Sequence, residues 1–286
     1  MKEAFWKSDR FVGLLISLVF IFGWLSGSEI LQGLEGDAYD LGVRLSSREE
    51  SSRKDNIAVI AIDDQSIRNI GRWPWPRDVH ASMVDKLTEA GAKAIATTVF
   101  FSEGQVDPGL LWINRLRGQI AGAALNPTQS AELNMTLDAA LKALDTDAIF
   151  GAALGHAANG VLAMQFEPGE ILGNPDAPLP DYVSRFAIPA DNISDPSGTN
   201  EIFPIPTVKA APPVAPLGTQ AAGIGSLINP LDVDGTLRSE PLVVRYYDEY
   251  FPSLALMTAA KSLNLTVKDI QIARGESVKL GGLEIL

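Results

Sequence analysis

The sequence predicts an α/β chain: a mostly parallel sheet flanked by helices, with an added strand hairpin, preceded by one transmembrane helix. Three observations carry that expectation. An uncharged run, FVGLLISLVFIFGWL, fills residues 11–25 and continues through Ser26 and Gly27. Two continuous apolar runs, IAVIAI at 57–62 and AIATTVFF at 94–101, have the length and branching of strands covered on both faces. Around them lie segments of helical spacing, punctuated by Gly and Pro.

Taken in order, the run at 11–27 would extend about 25 Å as a helix, near the lower limit for crossing a hydrocarbon core. Trp6 and Trp24 stand close to its ends, where amphipathic rings favour an interface. A buried helix of a soluble protein and a cleavable signal peptide compete with this reading. The Ser26-Gly27-Ser28-Glu29 that follows matches an Ala-x-Ala-like cleavage site poorly. Lys2, Lys7 and Arg10 precede the run, whereas Glu29, Glu35, Asp37 and Asp40 follow it. The positive-inside bias therefore puts residues 1–10 in the cytoplasm and everything after the span outside. A signal peptide would export the rest equally.

Residues 28–46 place Leu31, Leu34, Ala38, Leu41 and Leu45 at helical spacing, an amphipathic stalk. Polar residues 47–55 form a solvated connector, and 56–286 make up the exported domain. After the strand at 57–62, Asp64 or Ser66 can cap a short helix that stops at Gly71. Pro76 suits the first turn of a second helix, with Val79, Met83, Val84 and Leu87 on one face and Gly91 at its end. With the strand at 94–101 this makes a right-handed βαβ unit. A helix at 130–144 and strands at 148–154 and 161–166 repeat the cycle. Residues 168–216 hold 11 of the 18 prolines, so they read as a long surface excursion with neither regular helix nor central strand. Order returns with a strand–turn–strand over 225–246, a helix at 252–265 and strands around Gly281-Gly282. No internal repeat has a fixed period. The sequence stops inside an apolar run, LEIL, which reads as an interruption of a longer protein.

Composition narrows the chemistry. With 35 acidic against 23 basic residues and a net charge of −12, the chain lacks the clustered positive charge of a nucleic-acid interface. The absence of Cys removes disulfides, thiolate nucleophiles and sulfur-ligated zinc, while leaving the compartment open. No phosphate loop, nucleophile elbow or His-Glu-x-x-His occurs. His80, in the helix after Pro76, and His156, in a Gly/Ala-rich loop, read as surface or helix-packing side chains. Asp232-x-Asp234-Gly235 has the start of a calcium loop, but positions one and twelve would be Pro230 and Pro241. It reads instead as a structural turn, with Gly235 supplying the unusual dihedrals. No catalytic residue, metal ligand or cofactor is expected.

Two clusters remain as candidate ligand sites. Asp63-Asp64 ends the first strand, where an open parallel sheet binds ligands, and Thr98 and Glu103 at the end of the next strand face the same crevice. The competing reading makes Asp64 a helix cap and Asp63 a salt-bridge partner. The second cluster, Gly71-Arg72-Trp73-Pro74-Trp75-Pro76-Arg77, is a stiff extended rod with two large rings between cations. Arg72 and Arg77 can pair with Asp63, Asp64 or a ligand anion, or the rod can simply plug the end of the sheet.

The segments YDLGVRLS (39–46), AVIAIDDQSI (58–67), GRWPWPRDVHASMVDKL (71–87), GAKAIATTVFFSE (91–103) and DVDGTLRSEPLV (232–243) resemble, in this order, the type-two CHASE domain. The name stands for cyclase/histidine-kinase-associated sensory extracellular domain, and the resemblance covers about residues 30–286. It implies a membrane helix, an extracytoplasmic sensory module, usually three further membrane helices, and a cytoplasmic cyclase, histidine kinase or serine/threonine kinase. VFFSEGQVDPGLLWINRL resembles kinase-linked members. Many members carry Asp where this chain has Thr98, and residues 105–136 and 168–216 depart from the compact pattern.

The expectation is then a non-enzymatic sensor of an unknown extracellular small molecule, a homodimer anchored in a bacterial inner membrane. Two other classes stay open. One is a periplasmic enzyme using Asp63 and Asp64 as metal ligands or as an acid–base pair; the other is a dimerisation module reading a partner through the Trp-Pro rod.

Overall fold

A computed structural model describes residues 9–25, 29–46, 56–105, 107–122, 126–175, 177–196 and 204–285. Contacts divide the chain into two units, Met1–Asp63 with Asn229–Ser239, and Asp64–Ile228 with Glu240–Leu286.

In the first unit the uncharged run is helical as α1 (Asp9–Leu25), followed by α2 (Glu29–Leu45). None of the described side chains of α1 is buried, and Leu14, Ile16, Leu18, Phe20 and Phe22 are all exposed. Among the described residues no helix is long and apolar enough to cross a membrane. Lys2, Trp6, Lys7, Ser26–Ser28 and the connector 47–55 lie outside the described residues, as do the side chains of Arg10 and Trp24. The stalk is helical where expected, but Leu34, Leu41 and Leu45 are exposed, and Gly36 and Asp40 lie on its more covered face.

The expected strand at 57–62 does not form. The segment pairs with no strand among the described residues, and its side chains are exposed, Ile57 at 79% and Val59 at 89%. β-propensity expresses how a side chain fits a half-buried pleated surface, and without ladder or cover nothing fixes the run as a strand.

The second unit opens with α3 (Asp64–Ile70), which stops at Gly71 (φ 130°), and α4 (Arg77–Glu89), which stops before Gly91 (φ 80°). Then come β1 (Ile95–Phe100), α5 (Pro108–Ala121), α6 (Pro127–Leu144), α7 (Thr146–Ala157) and β2 (Gly160–Pro168). The chain continues through α8 (Asp181–Ser184), β3 (Ile193–Ser194), β4 (Ile205–Ala211), α9 (Ala215–Gly218) and β5 (Gly223–Ser226). It closes with β6 (Val243–Tyr246), β7 (Glu249–Pro252), α10 (Leu254–Ser262), β8 (Ile270–Ala273), β9 (Ser277–Leu280) and β10 (Leu283–Ile285). The main sheet runs β1-β2-β4-β6-β7, with β5 also on β2; a second sheet runs β10-β9-β8-β3. β1–β2, β2–β5 and β4–β6 are parallel, whereas β2–β4 and β6–β7 are antiparallel. The main sheet is therefore mixed. Its core gathers Val161, Leu162, Met164, Ile224, Val244 and Met257, all essentially inaccessible.

Four expectations need correction. Residues 148–154 are helical within α7, because Asp145 caps it: its carboxylate accepts the Ala148 N–H at 3.1 Å, and Phe150, Ala153 and Leu154 turn inward. His156 accordingly sits in the last turn of α7, not in a loop. β5 and β6 do not pair with each other; the hairpin is β6–β7, turned by Tyr247 at φ 50°. β1 is an edge strand with alternating exposure, not a strand covered on both faces.

The Pro-rich stretch departs furthest from expectation. It supplies β4, which lies between β2 and β6, and it buries Val183, Phe186 and Ile188. Pro206 sits near the start of β4, where its carbonyl still accepts the Gly169 N–H at 3.0 Å.

Candidate functional site

The Gly-Arg-Trp-Pro-Trp-Pro-Arg segment folds back on itself instead of extending as a rod. The Trp73–Pro74 peptide is cis, and the Trp75 indole N–H donates to the Gly71 carbonyl at 2.8 Å. The two rings meet edge to face with centroids 5.4 Å apart. His80, one turn into α4, lies against both, at 5.9 Å from Trp73 and 6.4 Å from Trp75. Beyond it stand Phe101 and Phe150, each 1% exposed, at 5.2 and 5.8 Å from the imidazole. Contacts of this kind contribute about 0.5–1.5 kcal/mol each beyond area burial. Burial, reinforced by the nearby Arg77 charge and opposed by Asp78, holds the His80 imidazole below its usual pKa, favouring the neutral form.

Arg77 links this aromatic column to a polar knot. Its Nε donates to Asp147 Oδ1 at 3.2 Å, its Nη2 to the Glu103 carbonyl at 3.1 Å, and its guanidinium carbon lies 4.4 Å over the Phe101 ring. The other Asp147 oxygen accepts the Gln105 N–H at 2.8 Å. Gln105 Oε1 in turn accepts the Arg77 N–H and the Thr146 hydroxyl, at 2.8 and 2.9 Å. Asp147 stands in the first turn of α7, where the helix N-terminus favours a carboxylate. The knot thus ties the start of α4, the loop after β1 and the start of α7 together.

Of the candidate residues, Trp73, Trp75, Arg77 and the main chain of Glu103 come together here. Arg77 pairs with Asp147, the one acidic side chain buried among the described residues. Asp64 is exposed at the start of α3, and Asp63 belongs to the first unit. Arg72 is exposed, and Thr98 lies on the open face of β1, opposite Thr97 and Val99. Sequence reasoning missed Gln105, Thr146, Asp147 and Phe150; the acidic first turn of α7 was the one local signal.

A second cluster belongs to the first unit. Asp232-Val233-Asp234-Gly235 is a turn, with Gly235 at φ 78° and its N–H donating to the Asp232 carbonyl at 2.8 Å. Arg238 then directs all five of its donors at three carboxylates. Nε and Nη2 reach the two oxygens of Asp40 at 3.0 Å each, and Nη1 reaches Asp232 at 2.8 Å. Nη1 and Nη2 also reach the two oxygens of Asp234, at 3.0 and 2.7 Å. Hydrogen bonds from Arg238, joined at Asp234 by the Thr236 N–H, hold the Asp40 and Asp234 carboxyls below the ordinary carboxylate range. Among the described residues no group of three or more His, Asp or Glu is arranged to hold a metal ion.

A family model described as the CHASE2 domain matches residues 14–285. No curated protein and no solved structure matches the chain.

Proposed function

The chain belongs to the CHASE2 domain family, and from that premise we propose that it is the extracytoplasmic sensory part of a transmembrane receptor. CHASE2 domains are sensory extracellular modules, which supports the sensory role directly. In this reading the chain itself catalyses nothing. It takes up an extracellular small molecule, pairs with a second copy, and passes the signal through α2 to a cytoplasmic kinase or nucleotide cyclase domain. Such coupling requires only that the ligand bind two conformations unequally.

The membrane part is supported by the uncharged run within α1, although α1 as it stands is not long and apolar enough to cross a membrane by itself. Its described Leu, Ile, Val and Phe side chains are not buried, and the basic residues Lys2, Lys7 and Arg10 all stand before the uncharged run that begins at Phe11. Apolar surface of that extent is stable when something other than water covers it, and lipid accepts a helix from every side. The basic flank supports a cytoplasmic location for residues 1–10 and export of the rest of the chain.

Alkaline phosphatase and green fluorescent protein fused after residue 46 and after residue 286 test this in bacterial cells. Active phosphatase with dark fluorescent fusions at both points is the expected result. Inactive phosphatase with bright fluorescence at residue 46 would overturn the export of the domain.

A further inference from the structure

We propose that Gly36, Asp40 and Arg238 form a clasp that locks α2 in one rotational register against the 232–236 turn, and that its opening is the step that frees α2. The use of α2 as a signal path rests on the receptor reading, whereas the clasp itself stands on geometry alone.

The apolar positions of α2 do not fix it, since Leu34, Leu41 and Leu45 are exposed. What meets the turn is a polar face. Gly36 and Asp40 are one helical turn apart, so both face the same neighbour. A Cβ at Gly36 would lie 3.1 Å from the guanidinium carbon of Arg238, too close for an unrelaxed fit. Gly36 is thus the notch that lets the planar group lie against the helix while gripping Asp40 with two parallel hydrogen bonds.

The turn is rigid enough to serve as the other jaw. Asp232 N–H donates to the Thr236 carbonyl at 3.0 Å, and Thr236 N–H donates to Asp234 Oδ1 at 3.0 Å. Along the chain this turn lies between β5 and β6.

Charge makes the clasp two-state. One guanidinium, its side chain only 12% exposed, holds three carboxylates that are each about a third or more open to solvent. Remove the guanidinium from the centre and the carboxylates repel one another, so a half-open arrangement is disfavoured. Lysine cannot replace Arg238, because three donors on a point charge cannot span three carboxylates in a plane.

The chain lacks cysteine, so Leu41→Cys on α2 and Val233→Cys in the turn, both exposed positions, give a specific pair of spin-label sites. Pulsed electron spin resonance on the full chain in lipid nanodiscs should show one narrow distance. Gly36→Ala and Arg238→Lys should each at least double the width of that distribution. Asp40→Asn, which keeps the volume and removes the charge, should broaden it less. Unchanged widths in Gly36→Ala or Arg238→Lys overturn the clasp, and so does an unchanged Asp40→Asn should the other two fail to fold. The distances are read whether or not the chain signals across a membrane; failure of the receptor reading appears instead in the topology fusions.

Discussion

Asp147→Ala is the most direct test of the aromatic and polar cluster. Both Asp147 oxygens are engaged, by Arg77 Nε and by the Gln105 N–H, and the Arg77 and Asp147 side chains are 13% and 10% exposed. Truncation leaves Arg77 with only the Glu103 carbonyl and the Phe101 face, and orphans the Gln105 N–H. Breaking a buried ion pair by removing one partner costs about 3–5 kcal/mol, since a charge stays behind unpaired. For a domain of this size each kcal/mol moves Tm by about 2–4 °C, so calorimetry should show a fall of roughly 6–20 °C. Asp147→Asn keeps an acceptor for Gln105 and should cost less. The signature is non-additivity: Arg77→Met with Asp147→Leu should cost less than Asp147→Ala alone, because no charge is then left buried. A fall under about 1 kcal/mol for Asp147→Ala, or strict additivity in the double variant, refutes the description of this knot as a tie between α4 and α7.

Three further outcomes follow from the same contacts. Gly151→Ala should destabilise the second unit by about 1–3 kcal/mol in urea unfolding, because its Cβ would press on the Pro216 backbone carbonyl; a neutral result contradicts the close approach of α7 and α9. The His80 pKa is lowered on folding, so its contribution is fully present above about 6.5, the unfolded value, and declines as pH falls below it. Urea midpoints between pH 7.5 and 5.5 should therefore fall more steeply for the parent than for His80→Phe, and equal slopes would exclude the effect. Asp40 and Asp234 are also lowered, so their contribution is present above the ordinary carboxylate value and is lost progressively as pH falls from that value through the lowered ones. Carboxyl carbon shifts followed by nuclear magnetic resonance should place the Asp234 midpoint below 3.8, and a midpoint at or above that value contradicts the clasp.

The parts of the fold that were legible are those whose signal is local. Gly71 and Gly91 end α3 and α4 where the sequence places them, because a positive φ stops a helix at almost no cost to glycine. The misread segments share a different cause. Residues 148–154 are a short apolar run, which periodicity cannot assign to strand or helix, and the cap at Asp145 decides the matter. Residues 57–62 have strand composition, yet a strand needs a neighbour, and composition carries no information about one. The proline-rich stretch misleads in the opposite direction. Counting prolines treats every one as a ladder defect, whereas Pro206 stands near the start of β4 with its carbonyl in use, and Thr207 beside it is fully buried.

The candidate sites show the same division between local and distant. Arg77 was legible as a cation needing a partner, and Asp63-Asp64 attracted the assignment because it is near in sequence. The partner that folding supplies is 70 residues away, on a different helix, and no spacing rule picks it out of 35 acidic residues. Arg238 was half legible, since Asp234 and Arg238 are four apart, but Asp40 lies 198 residues from it. A subtler signal was present in α2. Glycine inside a helix costs about 1 kcal/mol relative to alanine, so each one invites the question of what lies close by. α2 holds Gly33, Gly36 and Gly42, and a Cβ would meet nothing within 4 Å at the first and last of these. Only Gly36 faces a guanidinium. Helical glycine therefore marks where a notch is permitted, and the return of the chain at Arg238 decides which notch is filled.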